Sequence, residues 1–143
     1  MNDMEELYND LIMDHSMHSP YKHALSCCDI SAKGHNPSCG DEITLEVKIQ
    51  EGVIQEMGFT GHGCAISQSS TSIMIETLTG KSVSEAKKIV ETFLAMIRRE
   101  RLEEEALDSL EDARAFQGIA NMPARVKCAL LAWKTLNEHL ENL

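Results

Sequence analysis

Ile43-Thr44-Leu45-Glu46-Val47-Lys48-Ile49-Gln50-Glu51-Gly52-Val53-Ile54 is the stretch that decides the fold. Apolar side chains at 43, 45, 47 and 49 alternate with polar ones at 44, 46, 48 and 50. Successive strand residues point to opposite faces, so this period of two predicts a strand with one buried face. Glu51-Gly52 reads as a turn, and Val53–Thr60 as the hairpin partner. A lone hairpin is marginal in water, so its apolar face needs a cover from the rest of the chain.

Downstream, that cover is helical. After Gly61-His62-Gly63 the pattern predicts a helix from Cys64 to Leu78, closed by Gly80. Ser82 and Glu85 form a capping-box signature, and Val83, Ala86, Val90, Phe93 and Ile97 make one apolar stripe behind it. Charged Arg101–Gly118 is expected to hold short helical pieces. Asn121 is the expected N-cap of a last helix reaching Asn137 or beyond, with Pro123 in its first turn and Val126, Leu130 and Trp133 on one face. Upstream, Leu25–Ser31 reads as a further strand. A helix over Asp3–His15, with the pairs Leu7/Leu11 and Tyr8/Ile12, ends before Ser19-Pro20. A strand-rich first half and a helical second half predict an α+β two-layer fold, a small three-stranded antiparallel sheet packed on helices, in one domain over 1–143.

The 143 residues carry 13 Lys and Arg against 23 Asp and Glu, a net charge of −10. Such a surface repels nucleic-acid phosphate and anionic membrane, so neither is an expected partner. No apolar run has membrane-spanning length. The acidic, polar Met1–Asp10 does not match a secretory or mitochondrial address, and the expected location is cytoplasmic. Five cysteines are many for a reduced compartment and point to metal binding or thiol chemistry rather than a disulfide framework.

Cys39 lies in His35-Asn36-Pro37-Ser38-Cys39-Gly40-Asp41, an irregular loop ahead of the decisive strand. A tight turn at Gly40 could aim Cys39 and Asp41 at one point, and thiolate and carboxylate are both zinc ligands. Spacing alone equally allows a turn cysteine beside a strand-start aspartate. Cys64, behind Gly61-His62-Gly63, falls at a helix N-terminus, where the dipole and free N–H groups favour thiolate; it could also be a small apolar filler of the first turn. Cys128 alone reads as a core cysteine of the last helix. Cys27-Cys28, adjacent in the expected first strand, face opposite sides and read as structural. His35 and His62 flank the cysteine motifs and read as surface groups, the alternative being a group that supports the ligands or an occasional ligand, while His15 is assigned no chemistry. Gly80-Lys81-Ser82 is not a phosphate-binding loop, because Ile75 stands where that motif needs glycine.

Asn36-Pro37-Ser38-Cys39-Gly40-Asp41, Gly61-His62-Gly63-Cys64-Ala65-Ile66-Ser67 and Arg125-Val126-Lys127-Cys128-Ala129 together resemble the three cysteine motifs of the IscU/NifU family, over nearly the whole chain. Lys127, where IscU-type members carry histidine, and an extra segment over Arg98–Phe116 resemble the SufU branch. The resemblance implies a zinc site of Cys39, Asp41, Cys64 and Cys128. It further implies a sulfurtransferase in iron–sulfur cluster assembly that accepts persulfide sulfur on Cys39 from a pyridoxal-phosphate cysteine desulfurase of the SufS type. In that scheme a histidine of the desulfurase takes the place of Cys39 on the zinc. Other SUF assembly proteins and apo-acceptors are implied as further partners. The alternative is a scaffold that builds and transfers a [2Fe–2S] cluster on the same ligands, since thiolates suit both metals. Three thiolates and a carboxylate leave such a zinc site net negative, which makes Arg125 and Lys127 candidates to sit beside it; both also read as solvated helix charges.

Overall fold

In the computed structural model, which describes residues 3–141 and the side chains from Asn9 onward, the decisive hairpin is the centre of the sheet. Strands β1 (Ile30–Asn36), β2 (Asp41–Gln50) and β3 (Val53–His62) form an antiparallel meander in the order β1-β2-β3. Ile43, Leu45 and Val47 are fully buried, as their alternation requires. In β3 the buried positions slip phase from Ile54 to Met57 and Phe59. The register shift at Lys48/Ile49 explains this, because a bulge's extra residue reverses the facing of all that follows.

The helices are α1 (Asp3–Met17), α2 (Ala65–Leu78), α3 (Val83–Ile97), α4 (Glu104–Asp108) and α5 (Pro123–Leu140), with a 3₁₀ segment at Glu111–Asn121 before α5. Helix α5 lies along β1 and packs on α2, while α1 covers another side of α2. Helix α3 and the 3₁₀ segment close the core against α5. There Trp133 stacks on Phe93 (centroids 3.9 Å apart, rings 8° from parallel), and Phe116 meets Phe93 edge-on at 6.2 Å. Trp133 Nε1–H donates to Ser70 Oγ at 3.0 Å, which satisfies the buried indole. The α+β two-layer expectation therefore holds, and the extra segment is integrated into the core through Leu107, Leu110, Ala113 and Phe116. Among the described residues no helix is long and apolar enough to cross a membrane.

Four local expectations need correction. The first strand is Ile30–Asn36, not Leu25–Ser31. Its inward positions are Ile30, Ala32, Gly34 and Asn36, small or polar residues that mask the hydrophobic period. Gly34 is required there: a Cβ would lie 2.3 Å from Thr135 Oγ1 of α5. Cys27 and Cys28 consequently sit in a loop. That loop is held by Glu46, which accepts from Leu25 N–H at 3.0 Å and from the Cys28 thiol at 3.4 Å. The expected irregular loop at His35-Asn36 is instead the end of β1, and only 37–40 form the connection. The N-cap of α5 is Met122, without a side-chain cap bond; Asn121 is the last residue of the 3₁₀ segment, and Pro123 starts the helix. The Ser82 cap forms as expected, with Glu85 N–H donating to Ser82 Oγ at 3.1 Å. Leu11 and Ile12 of α1 pack on the core, whereas the side chains of Leu7 and Tyr8 lie outside the described residues.

Candidate metal centre

Cys39 and Asp41 are brought to one point by the turn between β1 and β2. Gly40 adopts φ +70°, the left-handed conformation that suits glycine, and Asn36 pairs with Asp41 across the turn. Asp41 opens β2 and is fully buried, while Cys39 is exposed on the turn. Cys128 reaches the same point from α5 and is also fully buried. The Cys128 thiol donates to Cys39 Sγ at 3.1 Å. One donor atom each of Cys39, Asp41 and Cys128 lies within 4.8 Å of the others.

Cys64 approaches from the start of α2 as its N-cap. Its backbone N–H donates to Asp41 Oδ1 at 2.9 Å, and its Sγ accepts from Ser67 N–H at 3.4 Å. The helix start therefore holds Asp41 through the main chain of Cys64. The Cys64 thiol does not belong to the 4.8 Å group, although it is near enough to help push the Cys128 thiol upward. Gly63 makes this approach possible. A Cβ there would lie 2.6 Å from Asp41 Oδ1 and 3.1 Å from Ser67 Oγ, so any side chain would push the helix start off the carboxylate.

Asn36 is the residue sequence reading missed. It is 6% exposed, and its Nδ2 donates to Asp41 Oδ2 at 3.4 Å and lies 3.9 Å from Cys128 Sγ. Asn-Pro reads as a turn signal, and only the β1–β2 register reveals that this amide faces the donors. His62 pairs instead with Glu42 at 3.7 Å on the surface, and His35 is exposed. Arg125 and Lys127 are exposed, and no hydrogen bond or ion pair joins either side chain to the four proposed ligands among the described residues. His15 ties α1 to α2, through Nδ1 to Ser72 Oγ at 2.7 Å and Nε2 to Glu76 at 3.0 Å.

Electrostatics at the cluster favours a cation. Burial pushes the Cys128 thiol far above its ordinary range; hydrogen bonds with Cys39 and Cys64 and the negative charges of Cys64 and Asp41 push the same way. The buried sulfur therefore keeps its proton unless a positive ion replaces it. Two thiols and a carboxylate from separate elements, with a third thiol at the adjoining helix cap, match the soft and borderline donors that zinc and iron take.

Sheet, helices and converging cysteines form one domain of a shared type, and the chain belongs to the family described as the NifU-like N terminal domain, whose model matches residues 7–129. It is 39% identical over 137 residues to an iron-sulfur cluster assembly scaffold protein IscU of Thermotoga maritima, covering 96% of this chain and 94% of that one. It is 35% identical to the zinc-dependent sulfurtransferase SufU of Bacillus subtilis, covering 94% of this chain and 90% of that one. The fold superposes at a TM-score of 0.86 on the crystal structure of a putative iron-sulfur cluster assembly scaffold protein for the SUF system from Fervidobacterium islandicum, at 37% identity over 95% of this chain and 98% of that one.

Proposed function

We propose that this protein is a zinc-dependent sulfurtransferase of the SufU type, taking persulfide sulfur on Cys39 from a SufS-type cysteine desulfurase. The observation that carries this reading is an asymmetry: Cys39 is exposed, while Asp41 and Cys128, its partners in the cluster, are fully buried. Asp41, Cys64 and Cys128 are the proposed fixed ligands, and Cys39 is the fourth. When bound, zinc would keep these thiols deprotonated and protect them from oxidation. Of the three proposed sulfur ligands Cys39 is exposed, Cys64 half-buried and Cys128 buried, so Cys39 is the sulfur an outside reactant reaches most readily.

The transfer balances as a thiol exchange. The Cys39 thiolate attacks the outer sulfur of the donor's persulfide and forms a new S–S bond. The donor's old S–S bond breaks, and its cysteine leaves as thiolate. Cys128 is poorly placed to accept sulfur, since it is fully buried and an incoming persulfide cannot reach it. Lys127, in place of the IscU-type histidine, supports the SufU reading, as does the zinc dependence of the Bacillus subtilis relative.

A second reading is a scaffold for a [2Fe–2S] cluster on the same residues; the Thermotoga maritima relative, named as a scaffold, favours it. Anaerobic reconstitution followed by an apo-acceptor separates the two. A sulfurtransferase carries about one zinc per chain and raises desulfurase turnover. A scaffold forms a coloured cluster and passes it on, without zinc-dependent stimulation.

A further inference from the structure

Beside the metal centre, between β1 and α5, runs an open cleft of about 360 Å³. Its position follows from strand geometry. Lys33 and His35 face away from the helices, whereas Gly34 and Asn36 face α5, and all four line the same cleft. A cleft touched by both faces of a strand must lie at that strand's edge. Among the described residues strand β1 has β2 on one side and no strand on the other, so its outer backbone N–H and C=O groups border the cleft.

The opposite wall is one stripe of α5, with Leu131 between Lys127 and Lys134. With Lys33, three of the chain's 13 cationic residues surround the cleft in a protein of net charge −10. No ion pair to Lys33, Lys127 or Lys134 forms among the described residues. Glu138 is the one carboxylate on the lining. Lysine on an edge strand is a common guard against self-pairing. Here the two lysines on the facing helix add something that guard does not need: a positively charged wall along the path an added strand would take.

We propose that this cleft is a docking groove for an extended acidic segment of a partner protein, which pairs with β1 as a fourth strand and sets its carboxylates against Lys33, Lys127 and Lys134. Main-chain hydrogen bonds supply affinity in this mode, and side-chain charge supplies selectivity. A second copy of this chain is the poorer occupant, because edge-to-edge pairing would oppose two lysine-rich clefts. The groove ends at Asn36, three residues before Cys39, so a protein docked there is held beside the metal centre. The inference does not depend on which metal or sulfur donor the site uses.

The test uses the full chain and a labelled, end-capped peptide of alternating glutamate and valine. Matched peptides carry lysine for glutamate, or proline for valine. The acidic peptide should bind, measured by fluorescence anisotropy, and slow amide exchange in Ile30–Asn36. The lysine and proline peptides should not bind. The exposed double substitution Lys33→Glu/Lys134→Glu should weaken binding at least about tenfold, while Lys33→Arg/Lys134→Arg should retain it. Circular dichroism checks that both variants fold. No binding of the acidic peptide, binding that survives charge reversal, or protection confined to another element would overturn the proposal. So would protection of Ile30–Asn36 that grows with protein concentration alone, which would assign the edge to a second copy.

Discussion

The two groups of cysteines on this sheet make an instructive pair. At one end, Cys39, Cys64 and Cys128 come from a turn, a helix cap and the second turn of another helix. At the other, Cys27 and Cys28 are neighbours on one loop, and Cys28 donates to Glu46 at 3.4 Å. Both ends combine thiols with carboxylates, yet among the described residues only the first gathers three donor atoms within 4.8 Å. Convergence of separate elements, rather than local density of thiols, makes the donor set. It also lets the fold fix each donor independently.

The comparison breaks most sharply on metal content. Cys128→Ser should reduce zinc affinity at least about 100-fold, beyond the roughly 10–100-fold typical of a supporting group. Cys28→Ser should leave zinc content and the thermal midpoint unchanged; metal analysis of the purified variants reads the first and thermal denaturation the second. Equal losses would erase the distinction between the two ends. Asn36→Ala should lower zinc affinity by about 10–100-fold, with little change in the far-ultraviolet spectrum. Gly63→Ala should destabilise the fold by about 1–3 kcal/mol, as crowding against packed atoms generally does, and denaturant unfolding measures it.

Proton competition gives a further handle. Because the Cys128 thiol is pushed upward, zinc must displace its proton at neutral pH. Apparent zinc affinity should therefore rise with pH, by about tenfold per unit for each proton released, over roughly pH 6 to 8. A flat profile in a competition titration would mean that Cys128 does not ligate.

The hairpin, the capping of α3 and the core stripes were legible because each repeats with its element's own period. Strand β1 was not, since its inward row ends in Gly34 and Asn36, which meet Thr135 and Cys128, far away in sequence. Asn36 was hidden for the same reason. Cys39, Asp41, Cys64 and Cys128 were singled out by motif, but spacing could not tell which of them would be exposed. That division depends on the tertiary packing of α5, which seals Cys128 and leaves Cys39 on the turn.

The most direct test is to locate transferred sulfur. Zinc-loaded protein is incubated with a pyridoxal-phosphate cysteine desulfurase and cysteine, and its peptides are then mapped by mass spectrometry. The account predicts one added sulfur atom on Cys39, its loss in Cys39→Ser together with the stimulation of the desulfurase, and unmodified Cys27 and Cys28. Sulfur found on Cys64, Cys128 or the Cys27-Cys28 loop, or a desulfurase rate that the zinc-loaded protein leaves unchanged, would contradict it.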